Sequence, residues 1–222
     1  MKKKPVIAID GFSSTGKSSI SKIIAQKLDI IHMDTGALYR GITVYALQHH
    51  LENNTLNIPA LINDLENIDL EFRNIDGNLQ LFLNDKNIDT EIRDPKVSDY
   101  VSEVAKQPEV RAFLLSRQRK MAENGGIVMD GRDIGTVVLP NADYKFFLTA
   151  SPDERAVRRY KELLASGVEA DLEEVKANLL MRDKIDSERE TSPLKQAEDA
   201  ILIDNTLLDK EQTIALILSY IQ

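Results

Sequence analysis

Hydrophobic positions along the chain follow two rhythms. Tyr144 through Leu148, interrupted by Lys145, reads as a strand, and short continuous apolar runs with β-branched residues occur at Val6-Ile7-Ala8-Ile9, Ile127-Val128-Met129 and Ala200-Ile201-Leu202-Ile203. Such runs predict strands buried on both faces, as in a parallel sheet. Ile30-Ile31 predicts a shorter strand. Between these runs, apolar residues recur every three or four positions: Ile20, Ile23, Ile24 and Leu28; Leu38, Ile42, Tyr45 and Leu47; Val110, Phe113, Leu114 and Met121; Ile214, Ile217, Leu218 and Ile221. That period predicts helices with one buried face. Pro95 and Pro108 suit first helical turns, and Ser151 and Asp209 suit N-caps. Gly167 breaks the helix that starts near 151, and a second charged helix is expected over 171–189. Buried strands alternating with helices predict an α/β sheet.

The texture changes between about 53 and 94. Asn and Asp become frequent, and two alternating runs, Leu70-Glu71-Phe72 and Leu79 through Leu83, flank Asp76-Gly77, a turn signal. A third short piece lies near Asn87-Ile88. This segment is expected to be a small antiparallel insert.

Composition narrows the classes. Hydrophobic residues make up 42% and charged residues 29% of the 222 positions, which is ordinary for a globular chain. A formal net charge of −8 argues against a non-specific nucleic-acid coat. The absence of cysteine excludes disulfides, thiolate metal sites and a cysteine nucleophile. The basic start MKKKP precedes too short an apolar run for a signal core. No run approaches 18 apolar residues, so a cytoplasmic protein without membrane spans is expected.

One motif carries chemistry at once. Gly11-Phe12-Ser13-Ser14-Thr15-Gly16-Lys17-Ser18 fits the phosphate-loop pattern in full, between a predicted buried strand and an amphipathic helix. Gly11 permits a tight exit from the strand, and Gly16 lets backbone approach phosphate oxygens. Successive N–H groups and the helix N-terminus make an anion nest, which Ser19 extends. Lys17 suits the β- and γ-phosphates, and the Ser18 hydroxyl is the candidate Mg²⁺ ligand. Phe12 and Thr15 stand where smaller residues are commoner, and neither removes an N–H.

A phosphate loop alone does not separate switch, motor and kinase. No Asn-Lys-x-Asp guanine motif and no Ser-Gly-Gly signature is present. Nine of the 12 arginines lie between 111 and 189: Arg111, Arg117, Arg119, Arg132, Arg155, Arg158, Arg159, Arg182 and Arg189. Arg155, Arg158 and Arg159 share one helical face, as do Arg182, Asp186 and Arg189 if their helix continues. Guanidiniums at such spacing suit a second anion site and a closing cover over a transferred phosphoryl group. The plainer alternative is a solvated face of weak surface ion pairs, and for Arg117 and Arg119 that alternative is preferred. His32, His49 and His50 read as structural or surface residues.

Taken together, IDGFSSTGKSS, MDTGALYR, EIRDPKVSDYVSEVA, VRAFLLSRQR, VMDGRDIGTVVLP, FFLTASPDERAVRRY and the MRDKIDSER region resemble bacterial cytidylate kinases, of the nucleoside monophosphate kinase superfamily. The resemblance implies a P-loop three-layer fold: a parallel five-stranded sheet flanked by helices, with an antiparallel insert and a short helical lid. It divides one kinase unit into a core (1–35, 105–150 and 195–222), a monophosphate-binding region with the insert (36–104) and a lid (151–194). It implies transfer of the ATP γ-phosphoryl group to CMP or dCMP with Mg²⁺. A monomer is expected separately, from the lack of a sustained exposed apolar stripe in the sequence, and no nucleic-acid polymer or membrane is expected as a partner. Residue by residue, Thr35 resembles the hydroxyl that contacts the monophosphate nucleotide, where several relatives carry Ser. Arg40 and Arg132 resemble the α-phosphate grip, and Ser102, Arg111 and Asp133 the readers of the cytosine edge. Asp186 resembles a ribose contact and Arg182 and Arg189 phosphate contacts from the lid side. Arg155, Arg158 and Arg159 fall in the lid segment, any of them able to contact ATP, with Arg158 as the candidate named. Lys17, Arg132, Arg182 and Arg189 are thereby the candidate catalytic group. Asp130, by analogy with acidic residues at such strand ends, is placed to orient Mg²⁺ through water. Without the resemblance, the plainer readings are preferred: Asp133 as a helix cap and Ser102 as a solvent-facing serine. A kinase for UMP, AMP or shikimate, and a P-loop regulatory module, remain the alternatives.

Overall fold

A computed structural model describes residues 4–75 and 78–221. The first two lysines and the Asp76-Gly77 turn fall outside the described residues. The elements in chain order are β1 (Val6–Gly11), α1 (Lys17–Leu28), β2 (Ile31–Asp34), α2 (Thr35–His49), β3 (Leu51–Glu52), β4 (Thr55–Leu56), α3 (Ile58–Asn63), β5 (Leu70–Ile75), β6 (Asn78–Leu83), β7 (Lys86–Asn87), α4 (Pro95–Ala105), α5 (Pro108–Ala122), β8 (Ile127–Gly131), β9 (Tyr144–Thr149), α6 (Pro152–Ala165), α7 (Leu172–Glu188), β10 (Ile201–Asp204) and α8 (Lys210–Tyr220). Two compact units divide the chain: Met1–Met33 with Met121–Gln222, and Asp34–Lys120.

The first unit carries the expected five-stranded parallel sheet, in the order β10-β9-β1-β8-β2. β1 lies at its centre, and Ile7, Ala8 and Ile9 are fully buried. The core joins Ile7, Ile9, Val128, Phe146 and Leu148 of the strands to Ile20 and Ile24 of α1 and Ile214 and Ile217 of α8. Each such side chain removed from water contributes roughly 1.5–3 kcal/mol. Asp209 caps α8 in a reciprocal capping box with Gln212, and the Ser151 hydroxyl accepts from Glu154 N–H at the start of α6. The run at 200–203 was expected to be buried. It is an edge strand instead, with Ile203 inside and Leu202 55% exposed, because β10 has a neighbour on one side alone.

Strand register sets the site. Ile9 stands opposite Asp130 and Asp10 opposite Gly131, while Gly11 faces Leu148 of β9. The C-terminal ends of β1 and β8 therefore finish side by side, at the edge where parallel α/β sheets bind ligands.

In the second unit, β5, β6 and β7 form the antiparallel insert expected from the sequence. A two-stranded β3–β4 hairpin and the short α3 precede it; both were hidden in the Asn-rich stretch. Gly41 of α2 lies so near the insert that an added Cβ would come within 2.7 Å of Leu70 Cδ1. Leu47, expected in the core, is half-buried, and Ala46 takes the fully buried position.

Gly11 has φ +148°, and a Cβ there would lie 2.0 Å from the Leu148 carbonyl oxygen. Gly11→Ala is expected to lower the urea midpoint by the equivalent of about 2 kcal/mol or more. An unchanged midpoint would show that β1 and β9 separate at little cost.

Candidate active site

The phosphate loop leaves β1 at Gly11 and enters α1 at Lys17. Ser14 (φ 59°) and Gly16 (φ +86°) both take left-handed conformations, the geometry that folds successive N–H groups into an anion nest. Within the loop, Thr15 Oγ1 donates to the Phe12 carbonyl at 3.0 Å. Lys17 Nζ donates to the same carbonyl at 2.5 Å and lies 3.3 Å from Thr15 Oγ1. Burial, followed by the nearby Arg132 charge, holds the Lys17 pKa well below its ordinary value. An arriving anion would relieve that penalty. Ser19 Oγ donates back to Gly16 O at 3.0 Å and staples the first turn of α1.

Side chains far away in sequence hold the loop from outside. Arg155 Nη1 donates to Ser13 O at 3.2 Å and pairs with Asp183 Oδ2 at 2.5 Å. Asp183 Oδ1 accepts from Ser13 N–H at 3.4 Å, and Arg132 Nη2 donates to Ser13 Oγ at 2.8 Å. The Arg155 guanidinium also sits 5.2 Å from the centre of the Phe12 ring. Asn205 Nδ2 donates to Thr15 O at 2.9 Å, and Arg158 donates to both the side chain and the carbonyl of Asn205. The three arginines expected on one helical face therefore do different work. Arg155 is buried against the loop, Arg158 bridges Glu154 and Asn205, and Arg159 pairs with Glu162 at the surface. α6 and α7 pack through Ala156, Val175 and Leu179.

Beside the loop, the end of β8 brings further candidates together. Arg132 Nε donates to Asp186 Oδ2 at 2.9 Å. Arg189 lies 3.6 Å from Asp186 Oδ1 and 3.9 Å from Asp133 Oδ1, and its Nε donates to Ser192 O. Arg182 is half-buried on α7, one turn before Asp186. Asp133 is buried and begins a single π turn, Ile134–Val138, with no side-chain cap bond.

In the second unit, Thr35 opens α2 and is buried. Arg40 Nη1 donates to Ile92 O and Ser98 Oγ, each at 3.1 Å. Ser102 follows Ser98 by one turn of α4 and is buried, not solvent-facing. Arg111 is buried too, with Nη1 on Ala105 O at 2.9 Å and its guanidinium 5.1 Å from the Tyr39 ring centre. Arg117 covers the Phe113 ring at 3.9 Å, and Arg119 is exposed.

Ser18 Oγ donates to Asp130 Oδ2 at 2.6 Å. A hydroxyl beside a carboxylate is a hard oxygen pair that suits Mg²⁺, which takes one or two protein ligands and completes its shell with water and phosphate. Among the described residues no group of three or more His, Asp or Glu side chains is placed to hold a metal. No helix among them is long and apolar enough to cross a membrane.

Residues 7–222 match the family model for cytidylate kinase. The chain belongs to the cytidylate kinase family. It is 50% identical over 222 residues to the cytidylate kinase of Flavobacterium psychrophilum, covering 99% of this chain and 98% of that one. It is 48% identical over 204 residues to the cytidylate kinase of Lactococcus lactis subsp. lactis, covering 92% and 91%. A crystal structure of an uncharacterized protein from Eubacterium ventriosum shares the fold, at a TM-score of 0.52 and 13% identity, over 99% of this chain and 98% of that one.

The sequence reading did not foresee Asp183, Asn205 or the loop-holding role of Arg155. Asp10 was also missed. Its two oxygens accept from Ile134 N–H and Gly135 N–H, each at 2.7 Å, and tie β1 to the π turn behind Asp133. Burial pushes its pKa up from 3.8 to about 6, against the opposing pull of those two N–H groups. The folded carboxyl thus keeps its proton to higher pH than the unfolded one. Its contribution favours the fold below the unfolded value of 3.8 and is lost as pH rises through about 6. Asp10→Asn is expected to flatten the stability–pH curve over that window in urea titrations. A curve as steep as that of the unsubstituted protein would contradict this.

Proposed function

We propose that the chain transfers the γ-phosphoryl group of ATP to CMP or dCMP, giving ADP and CDP or dCDP. The observation that carries this reading is identity near 50% to cytidylate kinases over almost the whole chain, with the phosphate loop intact at 11–18. In the reaction an acceptor phosphate oxygen attacks the γ-phosphorus, and the bond to the β–γ bridging oxygen breaks with its electrons going to ADP. That acceptor oxygen is already anionic near neutral pH, so no general base is required. Catalysis then rests on alignment and neutralisation of charge.

In this proposal residues 11–19 wrap the ATP phosphates, and Lys17 neutralises charge on the transferred group. Arg132, Arg182 and Arg189 grip phosphate oxygens, and Asp186 holds the ribose. Thr35, Arg40, Ser102 and Arg111 are further contacts to CMP. The Asp133 carboxylate accepts from the exocyclic amine of cytosine, a contact that the carbonyl of uracil cannot supply. Ser18 and Asp130 would hold Mg²⁺, which supplies positive charge to the β- and γ-phosphates. Residues 151–194 serve as the lid that keeps water from the γ-phosphorus. The chain works as a monomer in the cytoplasm.

ADP release from Mg-ATP, measured against CMP, dCMP, UMP, AMP and shikimate, tests the reaction. CMP and dCMP should be the fast acceptors; release at equal rate without an acceptor would point to a regulatory module. Arg132 binds Ser13 Oγ as well as Asp186. Its proposed partner is the CMP phosphate, and without it Ser13 keeps its contacts to Arg155 and Asp183. Arg132→Ala is therefore expected to raise KM for CMP by one to two orders of magnitude and KM for ATP by less. Equal increases would remove Arg132 from the acceptor side.

A further inference from the structure

The histidine at position 32 lies in β2, the strand next to β8, and reaches the end of β8 with its ring. His32 Nε2 stands 2.7 Å from Asp130 Oδ1, while Asp130 Oδ2 accepts from Ser18 Oγ at 2.6 Å. The side chains are 18% exposed for His32 and 3% for Asp130. An ionised carboxylate only accepts hydrogen bonds. Nε2 must therefore carry a proton toward Oδ1, and the Ser18 hydroxyl must spend its proton on Oδ2. The two donors lock the carboxylate about its Cβ–Cγ bond. They also fix the hydroxyl rotor, so that the Ser18 lone pairs face away from Asp130.

We propose that His32 is a positioning residue: it orients the Asp130 carboxylate, and through it the Ser18 lone pairs, for the divalent cation that accompanies the nucleotide. This rests on the kinase reading above. The arrangement is the familiar logic of outer partners around a metal site, where a second hydrogen bond aims the ligand. Here the histidine is the outer partner and not the ligand. A histidine that merely fills space beside β8 would not need a proton on Nε2, nor an acceptor at 2.7 Å.

The test uses the full-length protein with ADP and Mn²⁺ as the probe, free Mn²⁺ being followed by electron paramagnetic resonance. His32→Leu keeps apolar bulk and removes the donor. His32→Gln keeps an N–H near the position of Nε2. Relative to the unsubstituted protein, His32→Leu is expected to weaken Mn²⁺ binding about tenfold with metal-free ADP affinity unchanged, and His32→Gln to restore most of the loss. Unaltered Mn²⁺ affinity in His32→Leu, or equal loss in both variants, would overturn the proposal. Failure of the unsubstituted protein with ADP to bind Mn²⁺ would overturn the kinase reading itself, a distinguishable result. Should His32→Leu not fold, imidazole nitrogen shifts of the unsubstituted protein decide instead. A protonated Nε2 supports the assignment, and a bare Nε2 rejects it.

Discussion

A phosphate loop has to hold its backbone in an irregular, left-handed path without strand or helix partners of its own. Here the buried Arg155–Asp183 ion pair meets that demand. It takes both main-chain groups of Ser13, the carbonyl on Arg155 and the N–H on Asp183. Arg132 takes the remaining hydroxyl. A buried pair of this kind is costly to break, because the surviving charge is left without a partner. The loop conformation is thereby linked to α6 and to α7, which carries Arg182 and Asp186 and ends just before Arg189.

The parallel register of β1 and β8 adds the second constraint. It sets Ile9 beside Asp130 and Asp10 beside Gly131, so the loop and the Gly131-Arg132-Asp133 turn leave the sheet as neighbours. Ser18, Asp130 and His32 then form one hydrogen-bonded line at that edge. Asp10 fastens the turn from below. A net charge of −8 is thus compatible with anion chemistry, because Arg132, Arg155, Arg158 and Arg189 are each held at defined places around the loop and the end of β8.

What could be read from the chain alone was whatever is local in sequence. The phosphate loop spans eight consecutive residues, and its required context, strand before and helix after, adjoins it. Arg132 and Asp133 follow an apolar run that reads as a strand, so their place at a strand end was legible. The antiparallel insert showed in two alternating runs. Contacts between distant positions were not legible. Arg155 and Asp183 lie 28 residues apart, and His32 and Asp130 lie 98 apart. Nothing in the composition of either pair marks them as partners. The apolar run at 201–203 could not reveal its edge position, because burial depends on strand order and not on the run itself. The β3–β4 hairpin is too short to carry a period.

The central claim is that the Arg155–Asp183 pair acts as one unit to shape the phosphate loop. A double-mutant cycle with Arg155→Met, Asp183→Leu and the double variant, reading ATP affinity by calorimetry, addresses it directly. Each single change should weaken ATP binding strongly. The double variant should lose less than the two combined, with a coupling of about 1–3 kcal/mol. Losses that simply add, or single variants that bind ATP as the unsubstituted protein does, would contradict the account.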